Sequence, residues 1–303
     1  MRVFLDYDQA ALDRAYDQAE WAPNRQEVLD RRAAASAAVR ARLGEPHRLA
    51  YGPTDIERLD VYPTAVPHAP VMVFLHGGAW RSGDARSQAY AAETFTRAGA
   101  HWVVPDFATV MDVGLDGMVD QVRRAVAWVA RHAREFGGDP ARVYLGGHSS
   151  GGHLAGTVLV TDWAKAFDLP PDVVKGALCV SGMYELEPVR LSARSAYVRF
   201  DDRIEHELSP IRHLGRLACP VTVAYAENDS PEFQRQSREF ADALAAIGRL
   251  RRLVVAAGLN HFEIPETLAS PDGLLGREAL GLMGLGPRVD SARGLFDKPG
   301  PGA

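Results

Sequence analysis

The chain has 303 residues, of which 47% are hydrophobic, an ordinary share for a globular protein that forms one large domain or two small ones. Its net charge of −5 is mild and no block of basic residues occurs, so nucleic acid is not expected as a partner. No apolar leader begins the chain and no stretch is long enough to span a bilayer, so we expect a cytoplasmic protein without a membrane partner. The two cysteines, Cys179 and Cys219, lie in apolar strand-like segments and are expected to be buried free thiols.

Helical patterns occupy the first part of the chain, from about residue 8 to residue 44. Asn24 and Glu27 have the spacing of a capping box at the start of a second helix, and Gly44 ends that helix. Both helices precede every predicted strand, so residues 1–45 are a predicted helical extension of the core fold. Such an extension either covers the mouth of a site or caps an edge of the sheet, and the sequence leaves both alternatives open.

Strand-like and helix-like patterns alternate through the remainder of the chain. This alternation predicts an α/β fold, in which a mostly parallel, twisted sheet has helices on both faces, in one domain over residues 1–283. Residues 183–208 are polar and irregular and are predicted to form a lid or insertion, and the Gly- and Pro-rich residues 284–303 a loosely attached tail. Strands are predicted at residues 47–51, 57–62, 71–75, 101–105, 142–145, 174–180, 220–226 and 250–255, and helices at 85–98, 119–136, 154–159, 232–247 and 271–283.

A Gly-x-Ser-x-Gly motif lies between a predicted strand and a predicted helix, at Gly147-His148-Ser149-Ser150-Gly151. In this context the motif is typical of a nucleophile elbow, a sharp turn that exposes the Ser149 hydroxyl. The backbone N–H of Ser150 would then lie at a helix N-terminus, where it can stabilise a developing oxyanion. Two alternatives stay open: an ordinary strand-to-helix turn or phosphate loop, and Ser150 as the nucleophile in a frame that lacks the leading glycine.

A serine nucleophile requires a base to take its proton and a carboxylate to orient that base. His261 follows the last predicted strand and is the best candidate base, and Asp229 follows the strand before it and is the best candidate acid. Glu227 is an alternative acid. The order Ser149, Asp229, His261 along the chain is the order found in α/β-hydrolases.

Two further histidines, His148 and His153, are close to the elbow in sequence, but the turn is expected to point them away from the attacking side. We interpret His148 as a packing residue and His153 as part of the helix or of the pocket wall. Gly77 and Gly78, after the central strand, fit the second half of an oxyanion hole, because backbone N–H groups without a side chain can approach a substrate oxygen closely. Trp80 follows them and either stacks on a flat substrate or is structural.

Four motifs together resemble the arylformamidase (kynurenine formamidase) branch of the α/β-hydrolases, a likeness that runs from the N-terminal helices to about residue 283. The motifs are His-Gly-Gly-Ala-Trp at 76–80, Gly-His-Ser-Ser-Gly at 147–151, Asp-Ser-Pro-Glu-Phe at 229–233 and His-Phe at 261–262. The resemblance implies an α/β-hydrolase fold, a triad at the positions of Ser149, Asp229 and His261, and an oxyanion hole in the 76–80 loop. It also implies hydrolysis of N-formylkynurenine to kynurenine and formate without a metal. Residues 108–114 depart from the pattern, because a loop with tyrosine, leucine and proline is expected there, and this loop can border the pocket.

The sequence therefore predicts a serine hydrolase that needs no metal or cofactor and cleaves a small formamide, amide or ester through an acyl-enzyme. A broad-range carboxylesterase is one alternative, since the same branch contains esterases and other amidases. A non-catalytic hydrolase-like binding protein is another, although such proteins usually lack a triad member. The partner is a small-molecule substrate, and a homodimer is an open alternative. The residues expected to contact substrate are Trp80, Phe107, His153, Tyr184 and Phe262.

Overall fold

An eight-stranded sheet forms the centre of the computed structural model, which describes residues 1–286. The strands lie side by side in the order β10, β9, β8, β7, β5, β6, β4 and β3. All neighbours are parallel except β3 with β4 and β4 with β6, which are antiparallel at one edge. The strands are β3 His47–Ala50, β4 Arg58–Tyr62, β5 Ala69–Leu75, β6 His101–Pro105, β7 Gly138–His148, β8 Val174–Val180, β9 Val221–Ala226 and β10 Leu250–Ala256, and a separate hairpin pairs β1 Arg2–Phe4 with β2 Tyr7–Asp8.

Helices cover both faces of this sheet, as the alternating pattern predicted. The central strand β5 shows why: Val71, Val73 and Leu75 belong to one hydrophobic cluster, whereas Met72 and Phe74 belong to another on the opposite face. The helices are α1 Gln9–Ala15, α2 Arg25–Leu43, α3 Ala92–Arg97, α4 Val110–His132, α5 Ser150–Leu159, α6 Trp163–Phe167, α7 Glu187–Leu191, α8 Asp202–Glu207, α9 Pro231–Ala246 and α10 Leu274–Leu282.

Helix α4 begins at Val110, well before the predicted start at residue 119, so residues 108–114 are not simply a loop. Thr109 and Asp112 form a capping box at this helix start. Gly114 has a φ of 74°, and this left-handed residue interrupts the helical backbone. The interruption breaks the apolar period, which is why the sequence pattern placed the helix start too late.

Three other local predictions were wrong. Asn24 makes no side-chain cap with helix α2, so the predicted capping box with Glu27 does not form. The predicted helix at 85–98 divides into a 3₁₀ segment at Arg86–Ala91 followed by α3. Residues 183–208 are not irregular, because they contain α7, the 3₁₀ turn Ala193–Ala196 and α8. These helices are too short for a period to be visible in the sequence.

Cys179 and Cys219 are buried free thiols, as predicted. Burial raises the pKa of the Cys219 thiol to about 12 and shifts that of Cys179 in the same direction, so both stay protonated at neutral pH. Among residues 1–286, no helix combines the length and the apolar character needed to cross a bilayer. The predicted tail lies outside the described residues from residue 287 onward.

Candidate active site

The Gly-x-Ser-x-Gly motif forms a sharp turn between β7 and α5. Ser149 has φ 59° and ψ −123°, an unfavourable conformation for a residue with a side chain, which the surrounding packing must hold. A Cβ at Gly147 would lie 2.1 Å from the Gly151 carbonyl oxygen, and a Cβ at Gly151 would lie 2.1 Å from that of Leu75. Only glycine therefore allows strand, turn and helix to approach this closely.

The structure brings together the three side chains that the sequence analysis selected as a triad. The Ser149 Oγ and His261 Nε2 atoms are 2.8 Å apart, and His261 Nδ1 is 2.6 Å from an Asp229 carboxylate oxygen. With the carboxylate ionised, Nδ1–H donates to Asp229, which leaves Nε2 free to accept the serine proton. His261 is 2% exposed and Asp229 1%, so the pair is shielded from solvent.

Asp229 is held by more than the histidine. Its second carboxylate oxygen accepts hydrogen bonds from the Ser181 hydroxyl at 2.6 Å and from the backbone N–H of Ala226 at 2.9 Å. Ser181 was missed by the sequence analysis, although its position directly after strand β8 was a usable signal. Glu227, the alternative acid, instead accepts from the backbone N–H of Gly258 and does not contact His261.

The two histidines near the elbow are both buried. The His148 ring lies 4.7 Å from that of His261, and burial lowers the pKa of His148 well below its ordinary value, so a neutral imidazole packs on the candidate base. Burial also lowers the pKa of His153 to about 4. His153 Nδ1 accepts from Trp80 Nε1 at 3.3 Å, which makes Nε2–H the donor to the Leu208 carbonyl. His153 thus links the lid region to the loop after β5.

The candidate oxyanion donors are backbone N–H groups of the elbow and of the loop after β5. Gly78 has a φ of 128°, and a Cβ there would lie 1.9 Å from the Ser82 carbonyl oxygen, so the loop after β5 requires glycine at this position. Gly77 and Gly78 both line the cavity in front of Ser149. Within the described part of the chain, the backbone N–H groups of Gly77, Gly78 and Ser150 donate to no backbone acceptor, so they are available to a ligand oxygen.

A cavity of about 610 Å³ opens in front of Ser149 and His261. Its outer wall is formed by residues of the N-terminal extension and by the 3₁₀ turn of the segment 183–208. The N-terminal extension therefore lines the cavity in front of Ser149, and a cover over the site stays a prediction. The residues from these two regions that line the cavity are Asp13, Tyr16, Asp17, Gln18, Ala19, Arg25, Leu29, Arg32, Ala33, Ala193, Arg194, Ala196 and Tyr197.

Of the five residues expected to contact substrate, Phe262 lines this cavity and the other four do not. Trp80 is buried and donates to His153, which is itself fully buried. The Phe107 ring stacks on His76 at a centroid distance of 4.3 Å, and the Tyr184 ring stacks on Phe240 at 3.9 Å. The four rings lie in the core behind the site and not on the cavity wall. The polar residues of the cavity wall belong to no sequence motif, so the sequence alone did not reveal them.

The extension also holds the loops that carry the acid and the base. Asn24 donates to the Glu263 carboxylate at 2.8 Å and accepts from the Asn260 amide at 2.7 Å, on either side of His261. Gln18 donates to the Ser230 hydroxyl at 2.7 Å, next to Asp229. Both candidate triad loops are therefore hydrogen-bonded to chain segments that precede the sheet.

Comparisons with known proteins agree with this geometry. The family model BD-FAE matches residues 59–175. A kynurenine formamidase from Danio rerio is 34% identical over 241 residues, which cover 77% of this chain and 80% of that protein. The chain belongs to the kynurenine formamidase family. A second kynurenine formamidase, from Salmo salar, is 33% identical over the same shares of the two chains.

The fold also resembles that of a solved esterase structure. A solved esterase structure from Pyrobaculum calidifontis superposes with a TM-score of 0.68 at 20% identity, and the match covers 90% of this chain and 97% of that one. The α/β-hydrolase fold and the resemblance predicted from the motifs are thus confirmed, and this member of the family is a hydrolase.

Proposed function

We propose that Ser149, His261 and Asp229 are the catalytic triad of this hydrolase. The observation that carries the proposal is the continuous hydrogen-bonded chain from the serine hydroxyl through the imidazole to a buried carboxylate. His261 takes the proton as Ser149 attacks the carbonyl carbon, and Asp229 orients the imidazole and stabilises its charged form. The backbone N–H groups of Gly78 and Ser150 stabilise the oxyanion of the tetrahedral intermediate, and Gly77, whose N–H also has no backbone acceptor, belongs to the same oxyanion hole.

The proposed reaction is the hydrolysis of an aryl formamide, with N-formylkynurenine converted to kynurenine and formate. Ser149 adds to the formyl carbon, the C–N bond breaks, and His261 returns the proton to the leaving amine. Water then attacks the formyl-serine ester with His261 again as base, and formate leaves. Support for the formamide comes from the two relatives named kynurenine formamidase, which match across most of this chain.

A broad-range carboxylesterase is the second candidate, and similarity to an esterase from Mycobacterium tuberculosis favours it, at 28% identity over 67% of this chain. Hydrolysis rates for N-formylkynurenine and for short 4-nitrophenyl esters separate the two candidates. A large preference for the esters would reject the formamidase. A non-catalytic binding role is disfavoured, because none of the three triad side chains is missing or turned away.

The triad is tested with Ser149→Ala. We expect kcat to fall by on the order of 10⁴-fold or more, since removing the nucleophile abolishes the acyl-enzyme route. Wild-type protein should be labelled at Ser149 by a fluorophosphonate, and the variant should not. Ser195→Ala, which removes a hydroxyl hydrogen-bonded to Arg190 and not to the triad, is the control for loss of a serine. Full activity of the Ser149 variant, or labelling of another residue, would reject the scheme.

The cellular compartment and the oligomeric state of the protein are further parts of the proposal. We infer a small-molecule substrate handled in the cytoplasm, because both buried cysteines are free, as suits a reducing compartment. Nucleic acid and membrane are not proposed as partners. A homodimer stays a prediction, to be checked by sedimentation.

A further inference from the structure

The cavity wall beside Ser149 carries four arginines: Arg25, Arg32, Arg81 and Arg194. Most other arginines of the described residues are paired, but none of these four lies within 4.0 Å of a carboxylate in residues 1–286. Unpaired guanidinium groups that face one concave surface give it a positive potential. A cavity of this kind favours a negatively charged ligand.

Arg194 is the member of this group that the surrounding structure holds most firmly. It is only 8% exposed, one terminal nitrogen donates to the Tyr197 hydroxyl at 2.9 Å, and the other donates to the Tyr16 carbonyl at 2.8 Å. Its Nε–H is buried and has no acceptor among the described residues. A buried guanidinium without a counter-ion is costly, and buried charges are normally paired. The missing partner is therefore expected from outside the described residues.

A second arginine lies next to this buried one. The Arg81 guanidinium is 4.5 Å from the centroid of the Tyr197 ring, whose hydroxyl Arg194 binds. The Arg194 guanidinium is 5.6 Å from the Trp80 ring centroid, and Trp80 belongs to the loop that carries the proposed oxyanion donors. The positive charge thus lies beside the loop after β5, within the same cavity as the nucleophile.

Two acidic residues, Asp13 and Asp17, also line the cavity, and both are engaged elsewhere. The Asp13 carboxylate accepts hydrogen bonds from the Gln9 amide and from the backbone N–H of Ala193. The Asp17 carboxylate accepts from the backbone N–H of Ala19. Neither neutralises an arginine, so the wall keeps an excess of positive charge.

We propose that Arg194 is a specificity-determining residue, which binds a carboxylate that the substrate carries in addition to its scissile acyl group. The inference rests on the proposed hydrolase function and assigns a residue of the cavity wall to the carboxylate of the substrate. Each terminal nitrogen of Arg194 uses only one of its two N–H groups within the protein, so the planar guanidinium keeps two N–H groups that can donate to one carboxylate.

The proposal is tested with a matched pair of substrates, 4-(2-formamidophenyl)-4-oxobutanoate and its primary carboxamide. The two substrates differ in charge but scarcely in shape, and neither carries the α-amino group of an amino acid. For the wild-type protein we expect kcat/KM to be about 10- to 100-fold higher for the carboxylate, the range of a hydrogen bond to a charged group. Equal values for the two substrates would overturn the proposal.

Arg194→Gln should reduce this ratio of the two kcat/KM values to near one, chiefly through KM, and Arg194→Lys should restore part of it. Arg199→Gln is the matched control, because Arg199 is exposed, lies in the same segment and does not line the cavity. A ratio that stays unchanged in Arg194→Gln would show that Arg194 only holds Tyr16 and Tyr197 in place.

Calorimetry with the Ser149→Ala variant separates failure of this inference from failure of the proposed function. Tighter binding of the intact carboxylate than of the carboxamide supports the anion site even if a poorly folding Arg194 variant gives no kinetics. Turnover of both substrates at equal rates, with equal affinities, refutes the anion site but leaves the proposed hydrolase function intact. If the carboxylate binds preferentially but the wild-type protein does not hydrolyse it, the proposed formamidase activity is refuted and the proposed anion site is supported.

Discussion

At the scale of single residues, the nucleophile conformation and the carboxylate contacts govern the site. Ser149 is held in a strained turn that only glycines at 147 and 151 permit, so its hydroxyl position is imposed by backbone packing. Asp229 is oriented by two donors besides His261, and of these the Ser181 hydroxyl is a side chain that mutation can remove. The orientation of the candidate base therefore depends on a residue outside the proposed triad.

Ser181→Ala tests this dependence. Loss of one hydrogen bond to the carboxylate, about 1.5–3 kcal/mol for a charged partner, should loosen Asp229 and lower kcat about tenfold or more. KM should change little, because Ser181 does not line the cavity. Ser237→Ala is the control, since Ser237 is also buried but its hydroxyl has no partner among the described residues. Equal kcat values for wild type and Ser181→Ala would contradict a positioning role.

At the scale of elements, the N-terminal extension is hydrogen-bonded to the loops that carry Asp229 and His261, and it lines the cavity in front of Ser149. Asn24, at the start of α2, bonds to both sides of the His261 loop, and Gln18 bonds to the residue after Asp229. Asn24 has the residue type of a helix cap, yet its side chain is used for these tertiary contacts instead. The extension is therefore part of the active-site structure.

Asn24→Ala should lower kcat about tenfold without loss of the fold, because it removes two hydrogen bonds worth roughly 1 kcal/mol each from the His261 loop. Gln26→Ala is the matched control on the same helix, since its exposed amide contacts only Asp30. Steady-state kinetics with a melting-temperature measurement checks the prediction. A fall in melting temperature with unchanged kcat would mean that Asn24 stabilises the fold only.

At the scale of the whole molecule, buried histidines link stability to pH. Burial lowers the pKa of His76, His101, His148 and His153, so each is neutral in the folded state at pH values where the unfolded chain binds a proton. Their contribution to stability is present above the unfolded pKa near 6.5 and is lost as the pH falls toward the folded values. The protein should therefore be destabilised by mild acid.

His153→Gln tests this linkage at a buried position that does not itself line the cavity. For His153, whose pKa is lowered to about 4, the loss between pH 6.5 and pH 4 is on the order of 3 kcal/mol of unfolding free energy. Urea unfolding at a series of pH values should show that acid lowers the free energy of unfolding less in His153→Gln than in the wild type. The exposed His47→Gln is the control, and an identical pH dependence in all three proteins would refute the assignment.

The sequence by itself determined the α/β sheet, the nucleophile elbow and the three triad candidates. These features depend on local rules: alternating periods decide strand or helix, glycines permit a tight turn, and parallel strands bring their carboxyl ends to one edge. Tertiary structure alone decided that Trp80 and Tyr184 face the core, that the Asn24 side chain does not cap its helix, and that Arg194 is buried without a carboxylate within 4.0 Å among residues 1–286. A periodic pattern states which face of an element is buried but not which distant segment covers it, because that depends on contacts between residues far apart in the chain.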